Sequence, residues 1–135
     1  MPDYFVESNG TLTDSQRITK TLLKQHPEID GIICHHDIVA YGALEACDRL
    51  HIAIPEQVAV VGFDDISYSS LHRISLTTLR FPKAEIGKQA AQMLFRRIDG
   101  DQNPAEVVLK TQLIHRGTTP TFENGQSNLN LAPSS

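Results

Sequence analysis

The chain has 135 residues, enough for one domain with a real core and too few for two. Its 40% hydrophobic and 21% charged residues are ordinary for a soluble globular protein, and a net charge of −4 excludes the basic face that nucleic-acid binding needs. No apolar run reaches the roughly 20 residues that cross a bilayer, no secretory pattern opens the chain, and two cysteines, Cys34 and Cys47, make no disulfide framework, so free thiols in a reducing cytoplasm are expected.

In chain order, Tyr4–Glu7 is a short strand candidate, followed by a turn at Ser8-Asn9-Gly10. Thr13-Asp14-Ser15 offers an N-cap to a helix whose stripe is Ile18, Leu22 and Leu23 and which stops before Pro27. Gly31-Ile-Ile-Cys34 reads as a second strand. Asp37 is expected to cap a helix to about Leu50, burying Ala40, Ala43, Leu44 and Cys47. Pro55-Glu56 turns the chain into the strand that begins at Val58. Ser67 to Leu71 fits a short helix, and Leu76–Phe81 a strand stopped by Pro82. Pro82 is suited to open a helix that carries Ile86, Ala90, Met93, Leu94 and Ile98 and ends at Gly100. Val107 to Ile114 reads as the last strand. Beyond Gly117 the composition turns to Thr, Asn, Ser and Pro, so 118–135 is expected to be a disordered tail. Strands alternating with helices of about 13 residues predict an α/β fold, a parallel sheet with helices on both faces.

Val58-Ala-Val-Val-Gly-Phe-Asp-Asp-Ile66 is the most informative stretch. An apolar run of small and β-branched residues, the pattern of a strand buried on both faces, breaks at Gly62-Phe63 into two adjacent carboxylates. Ligands of open parallel sheets bind beyond the carboxyl ends of the strands, which is where Asp64 and Asp65 fall.

Several segments together resemble the C-terminal part of the effector-binding core of LacI/GalR-type transcription repressors, relatives of periplasmic sugar-binding proteins. They are residues 31–44, Ile54-Pro-Glu-Gln-Val-Ala-Val-Val-Gly-Phe-Asp-Asp-Ile66, Leu76-Thr-Thr-Leu-Arg-Phe-Pro82, residues 85–94, and Leu113-Ile-His-Arg-Gly-Thr-Thr119. The resemblance implies two α/β lobes joined by three crossovers, with a small effector between them. Residues 1–117 would hold most of the second lobe, and 82–100 would pack by analogy in an incomplete first lobe. The helix-turn-helix headpiece would lie upstream of the matched region.

The resemblance also implies site residues. Asp64 matches the aspartate that takes effector hydroxyls, with helix or turn capping as its plain alternative, while neighbouring Asp65 is expected to cap. His36 stands where the family usually has asparagine and would reach the same cleft; an imidazole donates and accepts, so a different ligand would fit. Phe81 replaces a polar crossover residue and would stack on a sugar or pack between lobes. Around Gly10-Thr11-Leu12 the family's aromatic platform is missing. Arg73 and Arg80 are expected to be surface charges. Tyr41, Leu44, Tyr68, Leu71 and His72 fall on segments that resemble the family's homodimer surface, with core packing as the alternative.

The expected function is therefore a non-catalytic, cytoplasmic sensor of a sugar, sugar phosphate or small metabolite. It would act as a homodimer with no cofactor and no membrane partner, and would touch operator DNA only through the headpiece. A periplasmic-type sugar receptor fragment of the same fold is the alternative. His35-His36-Asp37 with Asp64 invites a metal, but consecutive strand residues point to opposite faces, so none is expected. A hydrolase built on Asp64, Asp65 and His36, or a Cys34–His36 nucleophile pair, is the remaining and weaker rival.

Overall fold

The computed structural model describes residues 4–101 and 106–121. Along the chain run α1 (Leu12–Gln25), β1 (Gly31–Ile33), α2 (Asp37–Arg49), β2 (Ala59–Phe63), a 3-10 turn (Ser67–Ser70), β3 (Thr77–Arg80), α3 (Lys83–Ile98) and β4 (Gln112–Ile114). The strands form one sheet in the order β1-β2-β3-β4. β1, β2 and β3 are parallel, with Ile33 opposite Val61 and Phe63 opposite Leu79. β4 runs antiparallel to β3, so the sheet is mixed where an all-parallel one was expected.

Thr11, not the 13–15 stretch, caps α1: its hydroxyl accepts from the Asp14 amide at 3.3 Å, while Asp14 and Lys24 lie at the ends that suit the helix dipole. The buried face of α1 is Ser15, Thr19 and Leu23 at successive i,i+4 steps, and Ile18 and Leu22 are only half-buried. A face of small and hydroxylated residues serves because α1 and α2 nearly touch. A Cβ on Gly42 of α2 would fall 2.4 Å from the Leu12 carbonyl oxygen, and the Ser15 hydroxyl donates to the Val39 carbonyl at 2.6 Å.

α2 packs on β2, and Ala40, Ala43, Cys47, Val58, Val60 and Leu76 close a core of mostly small side chains in which Leu76 is the largest fully buried one; the α2 members follow the predicted pattern, with Leu44 at the margin. Along β2 burial alternates, Val60 and Gly62 facing this core. The opposite face is not covered by a helix among the described residues. Ile33 is 86% exposed there, and α3 buries none of its residues, leaving Ile86, Leu94 and Ile98 on the surface.

Two strand expectations change. Tyr4–Glu7 has no ladder partner among the described residues and forms no strand; it lies beside α1 and β1, with Tyr4 donating to Glu28 and its ring 4.3 Å from that of His26 at a tilt of 41°. The last strand shrinks from Val107–Ile114 to three residues, because β4 pairs only with β3, itself four residues long, and Val107 and Val108 stay exposed. The chain is also built in beyond Gly117. Thr118 is buried, its hydroxyl donating to the Val60 carbonyl at 2.7 Å and accepting from the Thr77 amide at 2.9 Å, and Thr119 meets the Thr77 hydroxyl at 2.8 Å. The rest of the expected tail, 122–135, lies outside the described residues.

Candidate functional site

Because β1, β2 and β3 run in one direction, their carboxyl ends gather His35-His36, Asp64-Asp65 and Arg80-Phe81 at one end of the sheet. The expected effector residues Asp64, His36 and Phe81 all belong to this end. A hollow of about 790 Å³ lies elsewhere, and one of about 400 Å³ reaches this end through Cys34 and His35, but none of the three lines either.

At the end of β1, His36 rather than Asp37 caps α2. His36 has extended backbone, φ −159° and ψ 166°, and its Nδ1 accepts from the Val39 amide at 3.3 Å, which leaves the ring proton on Nε2. Asp37, expected at the cap, is the first helical residue and is completely buried. Its carboxylate accepts from the Ile66 amide at 2.9 Å, the Thr78 hydroxyl at 2.6 Å and the Ser69 hydroxyl. Three donors waiting inside the fold outcompete the exposed capping position, since a buried carboxylate must be fully satisfied. Gly62 makes room for it: a Cβ there would stand 2.3 Å from Asp37 Oδ1.

At the end of β2, Asp64 (φ 117°) and Asp65 (φ 49°) both have positive φ, a region L-residues rarely occupy. Among the described residues the Asp64 carboxylate takes no hydrogen bond. Asp65 is not a cap; Ile66 occupies that position without a side-chain bond. Instead the Asp65 carboxylate, 7% exposed, accepts from Arg116 Nη2 at 2.7 Å and Arg80 Nε at 2.6 Å. Burial alone would raise its pKa, but the Arg116 and Arg80 hydrogen bonds and charges outweigh burial and hold it below the usual value. Arg80 is therefore a paired residue and not a loose surface charge.

At the end of β3, the Phe81 ring lies 5.4 Å from that of Phe63 at 31°, with Lys83 Nζ 5.2 Å above it. The arrangement offers a carboxylate acceptor, an imidazole and an aromatic pair, groups suited to hydroxyls and an apolar ring face.

The remaining motifs fall elsewhere. Tyr41, Leu44 and His72 line the larger hollow with Ile52, Ile54 and Ile74, whereas Tyr68 and Leu71 are exposed and do not line it. Cys34 and Cys47 are buried free thiols. Burial, with Asp37 and Cys47 nearby, pushes Cys34 up to about 12, so a neutral-pH thiolate is disfavoured. No group of three or more metal-ligating side chains gathers among the described residues, and no helix there is long and apolar enough to cross a membrane. Sequence reasoning missed Asp37 as a buried hub and Arg116 altogether. The only signal for Arg116 was its place in the closing segment 113–119.

Residues 2–119 match the family described as periplasmic binding protein-like domain. The ribose operon repressor of Halalkalibacterium halodurans is 32% identical over 125 residues, covering 90% of this chain and 37% of that protein. A LacI-family regulator from Corynebacterium glutamicum superposes with a TM-score of 0.71 at 32% identity, covering 87% of this chain and 45% of that one. A LacI-family regulator from Arthrobacter sp. FB24, solved in complex with lactose, gives 0.72 at 30% identity, covering 82% and 42%. The chain thus spans less than half the length of each of these three proteins.

Proposed function

Because the chain belongs to the periplasmic binding protein-like domain family, as the C-terminal part of a LacI/GalR-type effector-binding core, we propose that it forms one wall of the crevice where a transcription repressor senses a sugar or small metabolite. One observation carries the reading: at the end of β2 a carboxylate with no hydrogen bond among the described residues stands on a strained backbone, while its neighbour is paired with two arginines. Strain of this kind persists at ligand sites because it presents a side chain. Asp64 accepts from effector hydroxyls, His36 supplies its Nε2–H, and Phe81 on Phe63 offers an apolar face. The lactose complex of a relative favours a sugar as ligand class.

The other wall and the DNA-reading headpiece belong, in this reading, to the rest of a longer protein. The residues 82–100 pack against that missing lobe, consistent with α3 burying nothing here. Two copies pair through Tyr41, Leu44, Tyr68, Leu71 and His72 in the cytoplasm, and effector binding changes operator affinity through a difference in ligand affinity between two lobe arrangements. The chain itself catalyses nothing.

A thermal-shift screen of the protein that carries this chain, against pentoses, hexoses, disaccharides and their phosphates, tests the proposal. A ligand-dependent rise in melting temperature for one sugar class is expected. No shift with any of them at millimolar concentration overturns it.

A further inference from the structure

The corner after β2 holds two consecutive L-residues at positive φ, Asp64 at 117° and Asp65 at 49°. Such a conformation lasts only where its surroundings over-determine it. Here the Asp65 amide donates to the Thr78 hydroxyl at 3.4 Å. The Asp64 amide donates to the Leu79 carbonyl at 2.9 Å, continuing the β2–β3 ladder one residue past β2. The Asp65 carboxylate is held at both oxygens, Oδ1 by Arg116 and Oδ2 by Arg80, and the next amide, Ile66, donates to Asp37 Oδ2.

Arg116 is itself fixed: its Nη1 donates to the Leu76 carbonyl at 2.8 Å, its backbone amide donates to the Thr77 hydroxyl at 2.9 Å, and its side chain is 15% exposed. Arg80 is the outer arm, 51% exposed, and directly precedes Phe81. The two adjacent carboxylates thus differ, that of Asp65 locked between guanidinium groups and that of Asp64 without a hydrogen bond among the described residues.

We infer that Arg116 and Arg80 are positioning residues: by gripping Asp65 from the 115–119 segment and from β3, they fix the left-handed backbone that carries the Asp64 carboxylate, and tie that corner to Phe81. Neither touches the effector. Arg116 is the stronger arm because it is shielded from water and braced by two further bonds, whereas Arg80 works in solvent. The inference rests on the reading of Asp64 as the effector acceptor, but its test does not need the effector.

The experiment is heteronuclear NMR of the 135-residue chain, reading the three-bond amide–Hα coupling and Cβ shift at Asp64 and Asp65, with α2 core amides such as Ala43 and Ala46 as the folding control. Arg80→Gln, at an exposed position, leaves the α2 signals in place and moves the Asp64 coupling part of the way toward an ordinary extended value. Arg116→Met and Asp65→Asn move it further, and Asp65→Glu restores more of the parent spectrum than Asp65→Asn. Asp64 signals that coincide with the parent in both Arg80→Gln and any folded variant of Arg116 or Asp65 overturn the inference. Titration with ribose and lactose on the protein that carries this chain separates the two ideas. A clamp without sugar binding through Asp64 sinks the sensor reading alone, and binding through Asp64 without a clamp sinks this inference alone.

Discussion

At the residue scale, Asp37, Gly62 and Asp65 explain the site's rigidity. Asp37 collects the Ile66 amide and the Ser69 and Thr78 hydroxyls in a fully buried setting. Asp37→Ala strands those donors and is expected to cost at least about 2–3 kcal/mol, measured as a lower urea midpoint with unchanged slope. Gly62→Ala sets a Cβ 2.3 Å from Asp37 Oδ1 and 2.8 Å from Leu76 Cδ2, a clash against a braced carboxylate, so a loss of about 1–3 kcal/mol is expected in the same assay. Asp65 makes stability depend on acid. Its pKa is lowered in the fold, so the unfolded chain takes up the proton first as pH falls. Its contribution is complete above the unfolded value of about 3.9 and is lost as pH drops through the folded value. Urea melts at about pH 6 and about pH 3 should therefore show the stability gap between parent and Asp65→Asn narrowing in acid.

At the element scale, α2 links the crevice to the core. His36→Ala removes the acceptor of the Val39 amide and should destabilise by about 1 kcal/mol, whereas His36→Asn, a good cap, should be nearly neutral to stability. α3 is the counterpart with no packing to lose, and its amides should exchange with solvent faster than those of α2 in a hydrogen-exchange experiment. The elements themselves were legible in the sequence wherever periodicity and stop signals agreed: α1 ends before Pro27, α2 runs to Arg49, and α3 opens after Pro82. What failed was local chemistry overruled by distant partners. Asp is as good a cap as the chain offers near residue 37, yet donors from residues 66, 69 and 78 draw it inward and leave His36 at the cap. Asp65 meets Arg116 across 51 residues, a pairing no local pattern announces. His36, Asp64 and Phe81 follow the carboxyl ends of β1, β2 and β3, which parallel pairing sets at one end of the sheet; their role toward an effector is part of the proposal.

At the scale of the whole molecule, among the described residues no helix covers one sheet face and α3 buries none of its residues, and the chain spans 37% of a repressor it matches over 90% of its own length. These facts accord with the proposed reading, in which another lobe completes the crevice. The central proposal is that the Asp64 carboxylate, without a hydrogen bond among the described residues, holds the ligand. The most direct measurement is calorimetric titration of the protein that carries this chain, parent and Asp64→Ala side by side, with the sugar that gives the largest thermal shift. Loss of a hydrogen bond to a charged group predicts an affinity weaker by about 1.5–3 kcal/mol with the melting temperature of the free protein nearly unchanged. Equal affinity in a folded Asp64→Ala variant would contradict the account.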